Sequence, residues 1–142
     1  MRSVAEAAYL AGFVDGEGSI GVYKHGRSFR LRMQVANTSY PVLEHLQKIW
    51  GGRISHNGTK ERNPRWKPSY ILDWNTNQIL SLLKEIQPYL VNKAEHCITA
   101  LEFQDTVLPK HPGCLGLPKK VISKRLSLRE KFKELNCRGV PQ

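Results

Sequence analysis

The chain has 142 residues, with 22 Lys+Arg against 12 Asp+Glu, a net charge of +10 and a pI near 9.8. That length suits one domain with a real core, and 40% apolar with 24% charged residues is ordinary for a globular protein. The charge points to a polyanionic partner, nucleic acid first and an acidic membrane surface second. The absence of any apolar run near the ~18 residues of a bilayer span argues against membrane insertion.

Taken in chain order, Ala5 to Val14 reads as a helix rich in Ala and Leu, with small residues Ala8, Gly12 and Gly16 on one face. Gly costs about 1 kcal/mol in a helix interior, so Gly12 fits a helix that lets another backbone come close. Asp15-Gly16-Glu17-Gly18 then puts two acids at the C-terminal end of that helix, where the macrodipole disfavours negative charge. A cation is the natural complement; a glycine C-cap with solvated acids is the plainer alternative.

After Gly18 the period changes to two. Ser19 to Tyr23 and Phe29 to Asn37 alternate, with Phe29, Leu31, Met33 and Val35 opposite Arg30, Arg32 and Gln34, and Lys24 to Ser28 supplies the hairpin turn. Lys24, Arg27, Arg30 and Arg32 occur here without an acid among them. Arg and Gln alternating on an outward face suit the reading of guanine and adenine edges in a major groove. Pro41 to Trp50 is a second helix behind an Asn37–Pro41 turn, with Ser39 as N-cap and Gly51-Gly52 as its stop.

Arg53 to Asn57 alternates again, and the return strand is expected over Lys67 to Asn75, with a basic loop, Gly58 to Trp66, between them. The outward set on these four strands is Tyr23, His25, Ser28, Arg30, Arg32, Gln34, Arg53, Ser55, Asn57, Lys67, Ser69, Ile71 and Asp73. Helices follow over Asn77–Ile86, Val91–Phe103 and Lys119–Leu135, with a Pro/Gly loop at Pro109–Pro118. The last helix carries a packing stripe, Val121, Ile122, Leu126, Leu128, Phe132 and Leu135, and a basic side including Lys124, Arg125 and Arg129 that suits phosphates. Cys97, Cys114 and Cys137 are too few and too scattered for a disulfide framework, and no His/Cys pair has zinc-finger spacing. With no secretory pattern at the N-terminus, the expectation is an intracellular protein of a bacterial or phage-infected cytoplasm or an organelle. The fold class is α+β: a curved antiparallel four-stranded sheet with helices on one face and a basic face left open.

Leu10 to Gly18, LAGFVDGEG, resembles the signature nonapeptide of the LAGLIDADG homing endonucleases, and Ser19-Ile20 also suits that family. The resemblance implies an αββαββα domain plus C-terminal helices: one domain over 1–142, with a core of about 4–105 and an extension of about 106–142. It implies Glu17 as the metal-binding acid, where the family usually has Asp, with the Gly16 carbonyl beside it. Asn37 falls where a polar residue orients water, and Lys93 where a basic residue lies near the scissile phosphate; Pro41 replaces an Arg that some relatives carry. Taken alone, Asn37 suits a turn and Lys93 a solvated surface.

A single copy of the signature implies a homodimer through Ala8, Leu10, Ala11, Gly12, Asp15 and Gly16, cutting both strands of a near-palindromic duplex with Mg²⁺ or another divalent cation. An intron-encoded enzyme is implied, and a maturase that binds intron RNA without cutting DNA is the alternative.

Overall fold

A computed structural model of the chain describes residues 2–26, 28–58, 64–107 and 116–137. Helix α1, Val4–Glu17, is nucleated by a capping box: Glu6 N–H donates to the Ser3 hydroxyl at 3.2 Å, and Ser3 N–H donates to the Glu6 carboxylate at 2.7 Å. Arg2 anchors this end, donating to the Ile49 carbonyl and to Glu85 and lying over the Trp50 ring. At the other end α1 runs straight into strand β1, Gly18–His25, with no connecting residue; Gly18 N–H closes the helix on the Val14 carbonyl. The backbone of Gly18 is extended (φ −89°), so its conformation does not require glycine, but its packing does. A Cβ there would sit 2.7 Å from Val14 O and 2.9 Å from Val14 Cα, and backbone cannot yield.

β2 (Ser28–Asn37), α2 (Tyr40–Trp50), β3 (Arg53–Asn57) and β4 (Ser69–Asp73) follow, then α3 (Thr76–Ile86), a short 3₁₀ turn (Gln87–Tyr89), α4 (Ala94–Asp105) and α5 (Lys119–Leu135). The sheet is antiparallel in the order β1-β2-β4-β3. Its inner face contributes Ile20, Val22, Leu31, Met33, Val35, Leu72 and Trp74 to the core. The helices close that core with Leu10, Val14, Leu43, Leu46, Ile79, Leu83, Ile86 and Phe103, and α5 adds Leu128 and Phe132. The expected α+β architecture with helices on one face is therefore present. The α2–β3 turn demands glycine: Gly52 has φ +94°, and a Cβ would lie 2.6 Å from Asp73 O. The Trp74 indole N–H caps the turn by donating to the Trp50 and Gly51 carbonyls.

Several boundaries differ from the sequence reading for physical reasons. α1 extends to Glu17 because the chain passes into β1 while still helical. β4 begins at Ser69, so Lys67 lies before the strand. α4 begins at Ala94, three residues after the expected start, because the amides of Val91 and Lys93 are taken by Asp15 rather than turned into a helix. On α5 the expected stripe is only partly buried: Ile122 and Leu126 are exposed, and the buried positions are Arg125, Leu128 and Phe132. Ser39 is the N-cap of α2 without a side-chain cap bond; Asn37 Oδ1 instead accepts from the Ser39 N–H at 2.8 Å. Arg27, the 59–63 part of the basic loop and the 108–115 part of the Pro/Gly loop, with His111 and Cys114, lie outside the described residues. Cys97 is a core thiol, its pKa pushed up to about 11 by burial. Among the described residues no helix is long and apolar enough to cross a membrane.

Candidate functional site

Two acids separated by one residue meet opposite fates at the end of α1. The carboxylate of Asp15 accepts backbone N–H groups from Val91 and Lys93, one on each oxygen and both at 2.8 Å. Its carbonyl accepts from Lys93 Nζ at 2.9 Å and from Asn92 Nδ2 at 3.4 Å. Asp15 is thereby engaged within the chain, clamping the 91–93 turn to the helix end. Glu17, the last residue of α1, is exposed, and its carboxylate makes no hydrogen bond or ion pair with another described residue. No basic residue occupies the last turn of α1, so the helix dipole and the Glu17 charge reinforce each other.

The sheet register brings the remaining site residues to this end. Gly18 pairs with Val35, so Asn37, two residues on, lies at the end of β2 next to the α1–β1 junction. The Asp15 clamp holds the half-buried Lys93 there. Asn37 thus lies at the end of β2 beside the α1–β1 pairing, and Lys93 is tied to the end of α1 through Asp15. Pro41, in the first turn of α2, adds no positive charge. Among the described residues no three His, Cys, Asp or Glu side chains gather as a metal cage.

The open face of the sheet follows from the same register. Tyr23 pairs with Arg30, His25 with Ser28, Gln34 and Arg53 both with Asp73, Ser55 with Ile71, and Asn57 with Ser69. Cross-strand partners share a face, so the strand residues of the expected outward set lie together, with Lys67 exposed just ahead of β4. The Arg32 guanidinium lies 5.8 Å from the centroid of the Tyr23 ring, a cation–π contact. A groove of about 770 Å³ runs along Tyr23, Arg30, Arg32, Arg53 and Asp73.

A family model described as LAGLIDADG endonuclease matches residues 10–100. The chain belongs to the LAGLIDADG endonuclease family. No curated protein matches it. Solved structures with the same fold include the homing endonuclease I-CvuI in complex with the I-CreI target in the presence of Mg, at 21% identity and TM-score 0.72, covering 97% of this chain and 85% of that one. The archaeal intron-encoded homing endonuclease I-Vdi141I complexed with DNA matches at 17% identity and TM-score 0.72, covering 97% and 88%. The group I intron-encoded I-CeuI complexed with DNA matches at 16% identity and TM-score 0.71, covering 93% and 68%.

Within this LAGLIDADG protein the residues expected at a dimer contact divide by burial. Leu10 and Ala11 are fully buried in the protomer's own core, because they share the inward side of α1 with Ala7 and Val14. Asp15 is committed to the 91–93 turn. The exposed stripe is Ala8, Gly12 and Gly16, with Val4 and Tyr9 beside it, and nothing lies within 4 Å of a Cβ built on Gly12 or Gly16. Arg125, expected on a phosphate-facing side of α5, is 6% exposed and donates to Thr106. Sequence reasoning missed the groove-lining Asn75, Thr76 and Asn77. Asn75 carried a signal, since Asn three residues before Gln78 is a capping-box pattern, and both of its bonds are present.

Proposed function

We propose that the whole chain acts as one unit, a homodimeric, divalent-cation-dependent, site-specific endonuclease that cuts both strands of a long, near-palindromic DNA duplex. One observation carries the reading: a stripe of small residues with nothing packed on it, Ala8, Gly12 and Gly16, ends in a carboxylate, Glu17, that no described residue satisfies. Glycines that serve no contact inside the protomer fit a close two-fold helix contact, and that contact brings a second Glu17 to the first. The neighbours I-CvuI and I-Vdi141I, whose structures are DNA complexes, support DNA as the substrate.

The donor set is all oxygen, Glu17 carboxylate and Gly16 carbonyl from each protomer, which suits a hard cation such as Mg²⁺ that keeps several waters. When bound, such a cation supplies activation of water and neutralisation of charge at phosphorus. The chain's own groups do the rest. The Asn37 amide orients the attacking water, its oxygen already fixed by the Ser39 N–H. The Lys93 ammonium, exchanging the Asp15 carbonyl for a phosphate oxygen, stabilises the charge that builds in the transition state. The basic sheet face, with Tyr23, Arg30, Arg32 and Arg53, holds the duplex on either side of the two-fold axis.

Glu17→Gln tests the reading. Cleavage with Mg²⁺ should fall on the order of a thousandfold or more, with DNA affinity within a few-fold and the dimer intact in sedimentation. A variant that still cuts, or that loses binding and folding together, would remove Glu17 from the chemistry.

A further inference from the structure

A surface that receives a polyanion should be free of carboxylates, yet the strands of the open face carry one among the described residues, Asp73. It stands in register with Gln34 on β2 and with Arg53 on β3, so the three side chains form one row across the sheet. Asp73 Oδ2 lies 3.9 Å from Arg53 Nη2, longer than a hydrogen bond, and the Arg53 side chain is 80% exposed. An exposed pair at that distance adds little to stability, so stability does not explain a negative charge that repels phosphates. Gln34 does not satisfy it either: no hydrogen bond joins the two, and Gln34 Oε1 is itself buried with no partner among the described residues. The carboxylate lone pairs of Asp73 remain open toward the groove that it lines together with Arg53.

We propose that Asp73 and Arg53 together read one C·G base pair through the major groove. The inference rests on the nuclease reading above. Cytosine presents its N4 amino donor in the major groove, and its guanine partner presents the acceptors O6 and N7. A carboxylate on β4 beside a guanidinium fork on β3 is the complementary order, acceptor then donors, on side chains in adjacent register. A T·A pair in the same place sets thymine O4, an acceptor, against the carboxylate and replaces guanine O6 by the adenine N6 donor, so the carboxylate contact and one of the two arginine contacts are lost, leaving adenine N7 alone. Asp73 thus acts by exclusion as much as by attraction, and its repulsion of the backbone is the cost of that discrimination.

The test is selection by the full chain from a randomised duplex library in EDTA, repeated with Asp73→Asn and Arg53→Ala. The wild type should enrich sites with one position per half-site held as C·G. Asn both donates and accepts, so Asp73→Asn should admit T·A at that position, narrowing the preference by about tenfold or more and leaving other positions as they were. Arg53→Ala should relax the same position. A site without a fixed C·G pair, an Asp73→Asn profile equal to wild type, or two variants that relax different positions would overturn the inference and leave the nuclease reading standing. Enrichment of no sequence at all would overturn both.

Discussion

The α1–β1 junction and the α4–α5 layer treat polar groups in opposite ways. In the α4–α5 layer the groups that join the helices, Arg125, Thr106 and His96 Nε2, are answered within the chain. Arg125 donates to Thr106 Oγ1 at 3.0 Å and to the Thr106 carbonyl at 3.2 Å, with its guanidinium 5.4 Å from the centroid of the Phe103 ring. Burial also lowers its pKa from the ordinary arginine range. His96 Nε2 donates to Asn136 Oδ1 at 3.1 Å, and Asn136 Nδ2 donates to the Ile20 carbonyl at 3.3 Å, tying α5 to β1. At the junction Glu17 is the reverse: its carboxylate has no partner among the described residues, and Gly12 and Gly16 above it face open space. The contrast shows that the +10 charge is not a single binding surface. Arg125, whose hydrogen bonds end inside the fold, belongs to stability, whereas the Glu17 carboxylate has no partner among the described residues.

The contrast breaks first at Arg125. Arg125→Ala should destabilise the protein by about 2–3 kcal/mol in urea unfolding, because Thr106 is left buried without its donors. DNA affinity of the folded protein should stay within a few-fold. An intact stability with weakened binding would make Arg125 a phosphate ligand after all. Glu17→Gln is the counterpart, with stability expected within about 0.5 kcal/mol of wild type.

Asp15 lies between these extremes. Asp15→Asn keeps one acceptor oxygen and loses the charge, so about 1–2 kcal/mol should be lost. Cleavage should fall on the order of tenfold at unchanged DNA affinity, because the turn that carries Lys93 loosens. Unchanged cleavage would detach the clamp from the site.

The smallest effect is a pH dependence in the α4–α5 layer. Burial, the main cause, together with nearby Lys93, holds the His96 pKa below its ordinary 6.5, against the opposing pull of Asn136 and Asp15. The unfolded chain therefore takes up the proton first, so this part of the stability is fully present above about pH 6.5 and is lost as pH falls below it. His96 Nδ1 is buried with no partner among the described residues, which leaves the added proton without an acceptor. The thermal midpoint should drop between about pH 7 and about pH 5 by more in wild type than in His96→Gln. An equal drop in both would move the titration to another group.

Legibility followed the range of the interaction. Which strand residues share a face is set by a period of two, so the alternation around Arg30, Arg32 and Gln34 assigned the outward set, and the register agrees. The capping box at Asn75 was equally local and could have been read. Arg125 could not: its partner Thr106 is 19 residues away and is met only when α5 folds back on α4. The partners of Asp15 were hidden for the same reason, since the amides it binds lie 76 and 78 residues further along the chain.

The sequence by itself determined the α+β pattern, the two-faced sheet and the family, because periodicity and a nine-residue motif are properties of neighbouring residues. It also marked Glu17 as an acid in an unfavourable place. Only the tertiary structure decided which of the two acids, Asp15 or Glu17, finds a partner among the described residues and which glycines are packed within the chain. Gly18 is packed against Val14, while nothing beyond the helix itself lies within 4 Å of a Cβ placed on Gly12 or Gly16. The reason is steric and electrostatic: whether a small residue or a charge is satisfied depends on what the folded chain brings next to it.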